Sequence, residues 1–221
     1  MRFSHSYNDL LREDYFEAQP GEYDGIPPVL QLVTEWIPRA AISADRQAVV
    51  GALAFGRWVS GLFEVDSPVS VQVASAIRDF VPALELEFSG VALRPKSPHR
   101  SSAKLIVDPL LVHEQVESTD SCGRFGEREY RLRIHPNGES SGCMMVSDTF
   151  EVASNAYFFD SPEDDMRSLE AWYPFLAVAV LMSTEYEVGR ILVPANLCDN
   201  SKAWRDCEGL LKSVDIALQG A

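Results

Sequence analysis

The feature that most constrains the fold is an uninterrupted apolar run at residues 175–182, late in the chain. The run is too short to cross a bilayer, because a membrane-spanning helix takes about 20 residues. A helix that is apolar on every side has no polar face to present to water, so it must lie inside a domain. We therefore expect residues 175–182 to form a helix at the buried centre of the fold.

Both ends of the chain are predicted to be helical. Apolar residues recur there at three- and four-residue steps, which is the spacing of one helix face. Serine, aspartate or asparagine precedes four of these segments, where such residues cap helices. Pro174 lies within one segment and predicts a kink there. The predicted helices cover residues 7–16, 44–63, 68–80, 161–184 and 203–218, with N-caps at Ser43, Ser67, Ser161 and Asp199 or Asn200.

Three glycines, Gly51, Gly56 and Gly61, interrupt the helix predicted for residues 44–63. Each glycine costs a helix about 1 kcal/mol relative to alanine. The glycines therefore indicate either close packing of this helix against a neighbour or a segment that is not helical throughout.

The middle of the chain changes from a helical period to strict alternation. Residues 84–88 and 129–134 alternate apolar and polar side chains, as half-buried strands do. Asn137-Gly138 tolerates positive φ, which favours a hairpin between the second of these strands and a return strand at residues 143–152. Further strands are predicted at residues 103–107, 110–116 and 188–194, whereas residues 29–37 fit either a strand or a short helix.

Helices at both ends and strands in the middle predict an α+β fold. We expect a central antiparallel or mixed sheet of about 4–6 strands, with helices from both ends of the chain packed on it. A length of 221 residues suits one domain, so residues 1–221 are predicted to form a single α+β domain.

The chain is strongly acidic, with 33 acidic and 19 basic residues and a formal net charge of −14. Such a field repels phosphate groups, so neither nucleic acid nor an anionic membrane is a predicted partner. The same field attracts a basic protein and speeds its encounter with the chain. The alternative interpretation is that the charge serves solubility alone.

The first ten residues contain no apolar block, so we predict no signal peptide and a cytoplasmic location. In a reducing compartment Cys122, Cys143, Cys198 and Cys207 are expected to be free thiols. Cys122, His135 and Cys143 could supply three metal ligands, but nothing nearby completes the set in a recognisable spacing. The sequence therefore predicts no metal and no cofactor.

No strong catalytic motif is present in the sequence. His113-Glu114 with Glu117 matches half of the zinc motif H-E-x-x-H, but this segment has the pattern of a strand and lacks the second histidine. An enzyme remains an alternative if Asp108, His113, Glu114 and His135 converge on or beside the sheet.

Ser101 and Lys104 fit the spacing S-x-x-K, in which a lysine activates a serine. The motif needs the serine at the start of a helix inside a pocket, and here it follows a loop rich in proline and serine. Residues 94–104 form a basic stretch that could reach a phosphate or an acidic partner, or be a solvated loop.

Two groups of acids are candidates for a partner-binding surface. Glu163, Asp164 and Asp165 stand at the start of a predicted helix, where the helix dipole alone also favours acids. They could otherwise hold magnesium or act as an acid–base pair. Glu185 and Glu187 follow the buried helix and are expected to point outward together.

In size, acidity and lack of a catalytic motif, the chain resembles the immunity proteins that bacteria make against their own secreted toxins. The resemblance covers composition and length. It implies a non-enzymatic inhibitor that neutralises a basic toxin, such as a nuclease, through an acidic surface. A further alternative is an accessory subunit of a larger assembly, which would expose an apolar patch.

Overall fold

The structure is a computed structural model and describes residues 1–36, 40–93, 101, 103–109, 128–138, 144–159, 168–199 and 201–221. In this part of the chain, helices pack on a mixed sheet of nine strands, beside two small two-stranded sheets. The predicted α+β class is confirmed, and the sheet is larger than predicted. The helices are α1 (Ala44–Phe55), α2 (Val71–Phe80), α3 (Tyr173–Ser183) and α4 (Lys202–Lys212). The strands are β1 (Arg2–Asn8), β2 (Glu13–Gln19), β3 (Gln31–Thr34), β4 (Gly61–Phe63), β5 (Val69–Ser70), β6 (Leu86–Phe88), β7 (Val91–Ala92), β8 (Ala103–Pro109), β9 (Arg128–Pro136), β10 (Met144–Val146), β11 (Thr149–Ser154), β12 (Val188–Val193) and β13 (Ala217–Gly220).

The large sheet has two differently built halves. Its strand order is β1-β2-β3-β11-β9-β8-β12-β13, and β10 pairs with β11. Strands β1, β2 and β3 are antiparallel to one another and form the antiparallel half. Strands β11, β9, β8, β12 and β13 are mutually parallel and form the parallel half. The chain leaves β8 toward β9 and leaves β12 toward β13, so the connections diverge between β8 and β12.

Helix α3 is the buried centre that the apolar run predicts. Every residue from Pro174 to Ser183 is buried, and the helix joins β11 to β12. The predicted kink at Pro174 is wrong, because this proline stands in the first turn of α3. A missing N–H costs no intrahelical hydrogen bond in the first turn, so Pro174 does not bend the helix. The predicted cap at Ser161 and residues 160–167 lie outside the described residues.

Helix α4 is capped by the residue that follows the two predicted caps. The Ser201 hydroxyl accepts a hydrogen bond from the Trp204 amide at 3.1 Å, so Ser201 is the N-cap and not Asp199 or Asn200. The helix ends at Lys212, and Leu218 belongs to β13 instead of to the predicted helix. The apolar stripe continues past the helix because β13 buries Leu218 in the same core.

The N-terminal segment is a β-hairpin, so the helix predicted for residues 7–16 is wrong. Strands β1 and β2 pair antiparallel, and the buried Phe3 and Phe16 lie on the core face. Leu10 and Leu11, which completed the helical pattern, are exposed in the turn between the strands. The sequence predicts a strand or a short helix at residues 29–37, and the structure has the strand β3 there.

The structure explains Gly51 and Gly61, two of the glycines in the helix predicted for residues 44–63. Ser43 caps it as predicted, and the helix ends at Phe55. A Cβ on Gly51 would lie 3.1 Å from the Phe3 ring, so this glycine allows α1 to approach β1 closely. Gly61 has a φ of +94° and stands in β4, so the predicted extension to residue 63 is wrong.

Helix α2 starts three residues after the predicted start at Pro68. The Ser70 hydroxyl accepts from the Val73 amide at 3.4 Å and makes Ser70 the N-cap instead of Ser67. Pro68 stands outside the helix, where it costs the helix no hydrogen bond.

The hairpin predicted around Asn137-Gly138 is wrong, because β9 and β11 run parallel, with Leu132 opposite Phe150. The actual hairpin joins β10 to β11 and turns at Ser147, whose φ is +57°. Alternation shows which side chains face the core but not the direction in which neighbouring strands run. The strands predicted at residues 103–107, 129–134 and 188–194 are confirmed. The strand predicted at residues 84–88 is shorter than predicted, because β6 covers Leu86–Phe88 and Leu84 is exposed. Residues 110–116 lie outside the described residues.

Candidate functional site

The main core lies on one face of the large sheet, and a small second cluster of Ile106 and Leu192 is buried on the opposite face. Helix α1 contacts β1 and β2, α3 contacts β8 and β12, and α4 contacts β13. Side chains from both halves of the sheet, including Phe16 and Leu105, join one contiguous core with these helices. Alternate side chains of each strand point the other way. We call this second side of the sheet the outer face.

The outer face of the parallel half carries a line of ionisable groups that we call the charged row: Asp108, Arg131, Arg133, His135 and Glu151. The Asp108 carboxylate accepts a hydrogen bond from Arg131 Nη1 at 3.3 Å and lies 3.8 Å from Arg133 Nε. Glu151 lies 3.6 Å from Arg133 Nη1 and 3.8 Å from His135 Nε2. Two carboxylates are thus linked through Arg133.

The strand register explains this arrangement. Asp108 of β8 is directly opposite Arg133 of β9, and Arg133 is directly opposite Glu151 of β11. Neighbouring strands lie about 4.8 Å apart, so these side chains meet across the sheet. A second set of charged residues lies nearer the start of the strands, where Lys104 lies between Arg190 and Glu129. Lys104 is buried in β8 and is therefore not part of a helical S-x-x-K site.

Three polar atoms along β9 and just beyond it are buried and have no hydrogen-bond partner among the described residues. They are Arg133 Nε, His135 Nε2 and Asn137 Oδ1. Separations of 3.6 and 3.8 Å to Glu151 are too long for hydrogen bonds and suit a bridging water or ligand atom. The charged row ends near the carboxyl ends of parallel strands, beside the divergence between β8 and β12, which is where open parallel sheets bind ligands.

Asp108 and His135, two of the four residues proposed to converge in an enzyme, lie on the same outer face. They do not contact each other directly, because Arg133 and Glu151 stand between them. His113 and Glu114 lie outside the described residues. Chemically, the charged row can hold an anionic group or exchange a proton at His135.

The outer face of the antiparallel half is acidic. Glu13, Tyr15 and Glu17 alternate along β2 with the buried Asp14, Phe16 and Ala18, and each of the three is partly exposed. Tyr15 lies between Ser6 and Val33 in the pairing of the three strands. We call Glu13, Tyr15 and Glu17, with their neighbours Ser6 and Val33, the acidic face.

The acidic face is held by a short internal contact. The Tyr15 hydroxyl donates a hydrogen bond to the Glu13 carboxylate, and this bond raises the pKa of the Tyr15 phenol. The nearby cations are Arg2, which pairs with Asp66 at 3.8 Å, and Arg12, which is exposed in the turn before Glu13. Neither Glu13 nor Glu17 forms an ion pair with a residue that the structure describes. The carboxylates of Glu13 and Glu17 are therefore available to an external cation.

The acids predicted to bind a partner are placed unequally. Glu187 is exposed, whereas Glu185 is half-buried, so the two do not project equally. Tyr186 between them packs against Phe150, with ring centroids 4.2 Å apart, and this contact anchors the connection from α3 to β12. Glu163, Asp164 and Asp165 lie outside the described residues.

A second carboxylate is buried on the core side of the antiparallel half. Asp14 is 1% exposed, and its Oδ1 lies 2.7 Å from His5 Nε2. Burial raises the pKa of Asp14, and the hydrogen bond and charge of His5 lower it in part. Asp14 Oδ2 and the opposite Thr34 hydroxyl have no hydrogen-bond partner among the described residues.

In the part of the chain that the structure describes, no three His, Cys, Asp or Glu side chains lie close enough together to hold a metal ion. Cys198 and Cys207 are free thiols, and Cys122 and Cys143 lie outside the described residues. None of the described helices has the length and apolar character needed to cross a membrane.

Together, the fold and its surfaces define an α+β chain with a charged row and an acidic face on one side of a mixed sheet. Comparison with protein-family models, with curated proteins and with solved structures found no match to the chain.

Sequence reasoning missed the acidic face because it assigned Tyr15 to a helix. The alternation of Glu13, Tyr15 and Glu17 with Phe16 and Ala18 was a usable signal, but the charged Asp14 stands at an inward position and interrupts it. The arginines of the charged row were seen in the sequence as the polar side of a strand, and only the parallel register shows that they meet carboxylates.

Proposed function

We propose that the chain is a non-enzymatic binding protein that engages a basic protein through its acidic surface. Its most concrete form is an immunity-type protein that neutralises a basic toxin such as a nuclease. The observation that carries the proposal is the acidic face, on which Glu13 and Glu17 flank Tyr15 on an open sheet surface. The net charge of −14 adds long-range attraction for the same partner.

The chemistry of the acidic face fits a protein partner. Carboxylates steer a cationic surface during encounter, and a partly exposed tyrosine supplies contact area with little loss of side-chain entropy. A stable complex needs about 800 Å² of surface from each partner, which extends beyond the three strands. The exposed Glu187, and the acids at 163–165, remain predicted additions to this surface.

The charged row does not favour nucleic acid as the partner. Its arginines lie beside Asp108 and Glu151, so much of their positive charge is neutralised within the sheet. A nucleic-acid groove instead needs cations that are available to phosphate.

The test compares capture by two charge variants of equal formal charge. The wild-type chain, Glu13→Gln/Glu17→Gln and the control Glu85→Gln/Glu87→Gln are each used as bait in an extract of the native host at low salt. Glu85 and Glu87 are exposed and lie away from β2. We expect wild type and the control to retain the same basic protein and the acidic-face variant to lose most of it. If the retained protein is an enzyme, its activity should fall on binding.

Equal retention by the two double variants would show that net charge, and not the acidic face, attracts the partner. Retention that does not weaken as salt rises would contradict the electrostatic steering. Retention of acidic proteins alone would contradict the proposal as a whole.

A second candidate function is an enzyme centred on the charged row. The observation that favours it is the placement of Asp108 and His135 on one face, linked through Arg133 and Glu151, near the carboxyl ends of parallel strands. His135 is the candidate proton carrier, and Arg131 and Arg133 would hold an anionic substrate group.

The enzyme is tested with a panel of phosphate and carboxylate esters. We expect His135→Gln to abolish any turnover found with wild type, while Glu85→Gln leaves it unchanged. Turnover that survives both His135→Gln and Asp108→Asn would place the reaction elsewhere or assign it to a contaminant.

A further inference from the structure

A pocket of about 320 Å³ opens where the ends of all four helices meet. The last turns of α1 and α2 form one side, and the first turns of α3 and α4 form the other. Ala52, Leu53, Phe80, Pro82, Pro174 and Ala203 give it largely apolar walls. A mostly apolar, concave pocket of this size with a few polar groups is typical of small-molecule sites.

One side of the pocket is aromatic. Phe80 and Tyr173 lie with ring centroids 5.0 Å apart at an interplanar angle of 54°. Aromatic rings offer a negative face to a cation, and such contacts strengthen when water is excluded. Tyr173 is one of the residues that line the pocket.

The Tyr173 hydroxyl is half-buried, and Glu170 is the nearby acid that pairs with no cation among the described residues. Burial, and then Cys207, Glu170 and Asp206, raise the pKa of this phenol far above its usual value. The hydroxyl therefore stays neutral at physiological pH and can both donate and accept a hydrogen bond. The Glu170 carboxylate disfavours an anion beside it and favours a cation.

The two cations of the pocket wall are already engaged. Arg57 donates to the Phe159 carbonyl at 3.0 Å, and its guanidinium lies 4.4 Å from the centre of the Trp58 ring. Lys202 pairs with Asp206 at 2.5 Å. Glu170 lines the pocket and is exposed, and its carboxylate makes no hydrogen bond or ion pair with the residues that the structure describes.

We propose that this pocket binds an organic ammonium ion with a small hydrocarbon body. The hydrocarbon lies against the apolar walls and the Phe80 and Tyr173 rings, and the ammonium group faces Glu170. The inference is independent of partner binding, because the pocket lies among the helices and the acidic face lies on the opposite side of the sheet.

The test uses three ligands of similar shape and different charge: phenethylammonium, 2-phenylethanol and phenylacetate. Isothermal titration calorimetry of the full chain should show the tightest binding for the cation, weaker binding for the alcohol and the weakest for the anion. Glu170→Gln should weaken phenethylammonium about two- to five-fold, the range of an exposed ion pair, and leave 2-phenylethanol unchanged.

Two further variants locate the site. Ala203→Leu fills the pocket and should weaken both the cation and the alcohol by about tenfold, whereas Glu208→Gln, an exposed acid of α4 outside the pocket, should change neither. If Ala203→Leu does not fold, the ratio of cation to alcohol affinity in Glu170→Gln still tests whether Glu170 contacts the ammonium group. Phenylacetate binding more tightly than phenethylammonium, or no binding of the cation at millimolar concentration, would overturn the proposal.

Discussion

The two halves of the large sheet bury the same kind of inner face and present different outer faces. In the antiparallel half, Glu13 and Glu17 stand half-exposed, and neither carboxylate forms an ion pair with a described residue, although Arg12 precedes Glu13 in the turn. In the parallel half, carboxylates and arginines alternate across the strands and lie within 3.3–3.8 Å of one another. The carboxylates of the first surface are available to a partner, whereas most charges of the second are neutralised by opposite charges within the sheet.

The contrast follows from how far each half is buried. Every residue of β8 is buried, including Lys104 and Asp108, whereas β2 alternates between buried and half-exposed residues. A charge that loses water needs an opposite charge or hydrogen bonds, but one in solvent does not. The acidic character of the chain is therefore concentrated away from the parallel half, whose outer face carries Lys104, Arg131, Arg133 and Arg190 against Asp108, Glu129 and Glu151.

The largest predicted effect tests whether the two halves unfold together. Phe16 is fully buried in the antiparallel half, with its ring 5.8 Å from that of Phe3. Phe16→Ala should lower the free energy of unfolding by about 3–5 kcal/mol. Because both halves share one core, urea denaturation should remain a single transition, and amide exchange should accelerate in β8 as well as in β2.

Leu105→Ala in β8 is the matched change in the parallel half, and it should cost about 2–5 kcal/mol with the same pattern. Faster exchange confined to β1, β2 and β3 after Phe16→Ala would mean that the antiparallel half unfolds by itself. That outcome would contradict the predicted single domain.

The next effect compares a carboxylate from each outer face. Asp108→Asn removes the charge that accepts from Arg131 and faces Arg133, and should cost about 1–3 kcal/mol. Glu13→Gln on the acidic face should change stability by less than about 0.5 kcal/mol. Thermal unfolding of both variants at pH 7 measures the difference. Equal costs would mean that burial does not distinguish the two surfaces.

Sequence reasoning recovered what depends on local pattern. Burial of residues 175–182, the Ser43 cap and the β9 alternation are confirmed, because each is set by residues a few positions apart. The close packing suggested by the glycines is also confirmed at Gly51.

The features that it missed depend on residues far apart in the chain. No pattern within residues 129–152 indicates that β9 and β11 are parallel. The relative direction of these two strands depends on how β10 and the rest of the sheet are connected. Likewise, Leu10 and Leu11 fit the spacing of a helix face, but the pairing of Phe3 with Ala18 places them in the turn of a hairpin. The charged row exists only through register, so its ion pairs could not be derived from the sequence alone.

The smallest predicted effect concerns the buried carboxylate of the antiparallel half, whose partner is a histidine instead of an arginine. Burial raises the pKa of Asp14 above its usual 3.8, so the folded chain holds a proton there more readily than the unfolded chain. The stability from this group is complete below pH 3.8 and is lost as the pH rises through the raised value. The amide that Asp14→Asn introduces cannot titrate, so the stability of wild type relative to this variant should fall over that range.

A His5→Gln background should make this fall larger, because His5 lowers the pKa of Asp14 and opposes the effect of burial. The measurement is urea denaturation of the four chains between about pH 3.5 and pH 7, taken as differences so that other titrating groups cancel. A difference that instead rises with pH would show that the contact with His5 outweighs desolvation. His5 would then stabilise the charged form of Asp14, and the contrast with Asp108, which lies beside two arginines, would disappear.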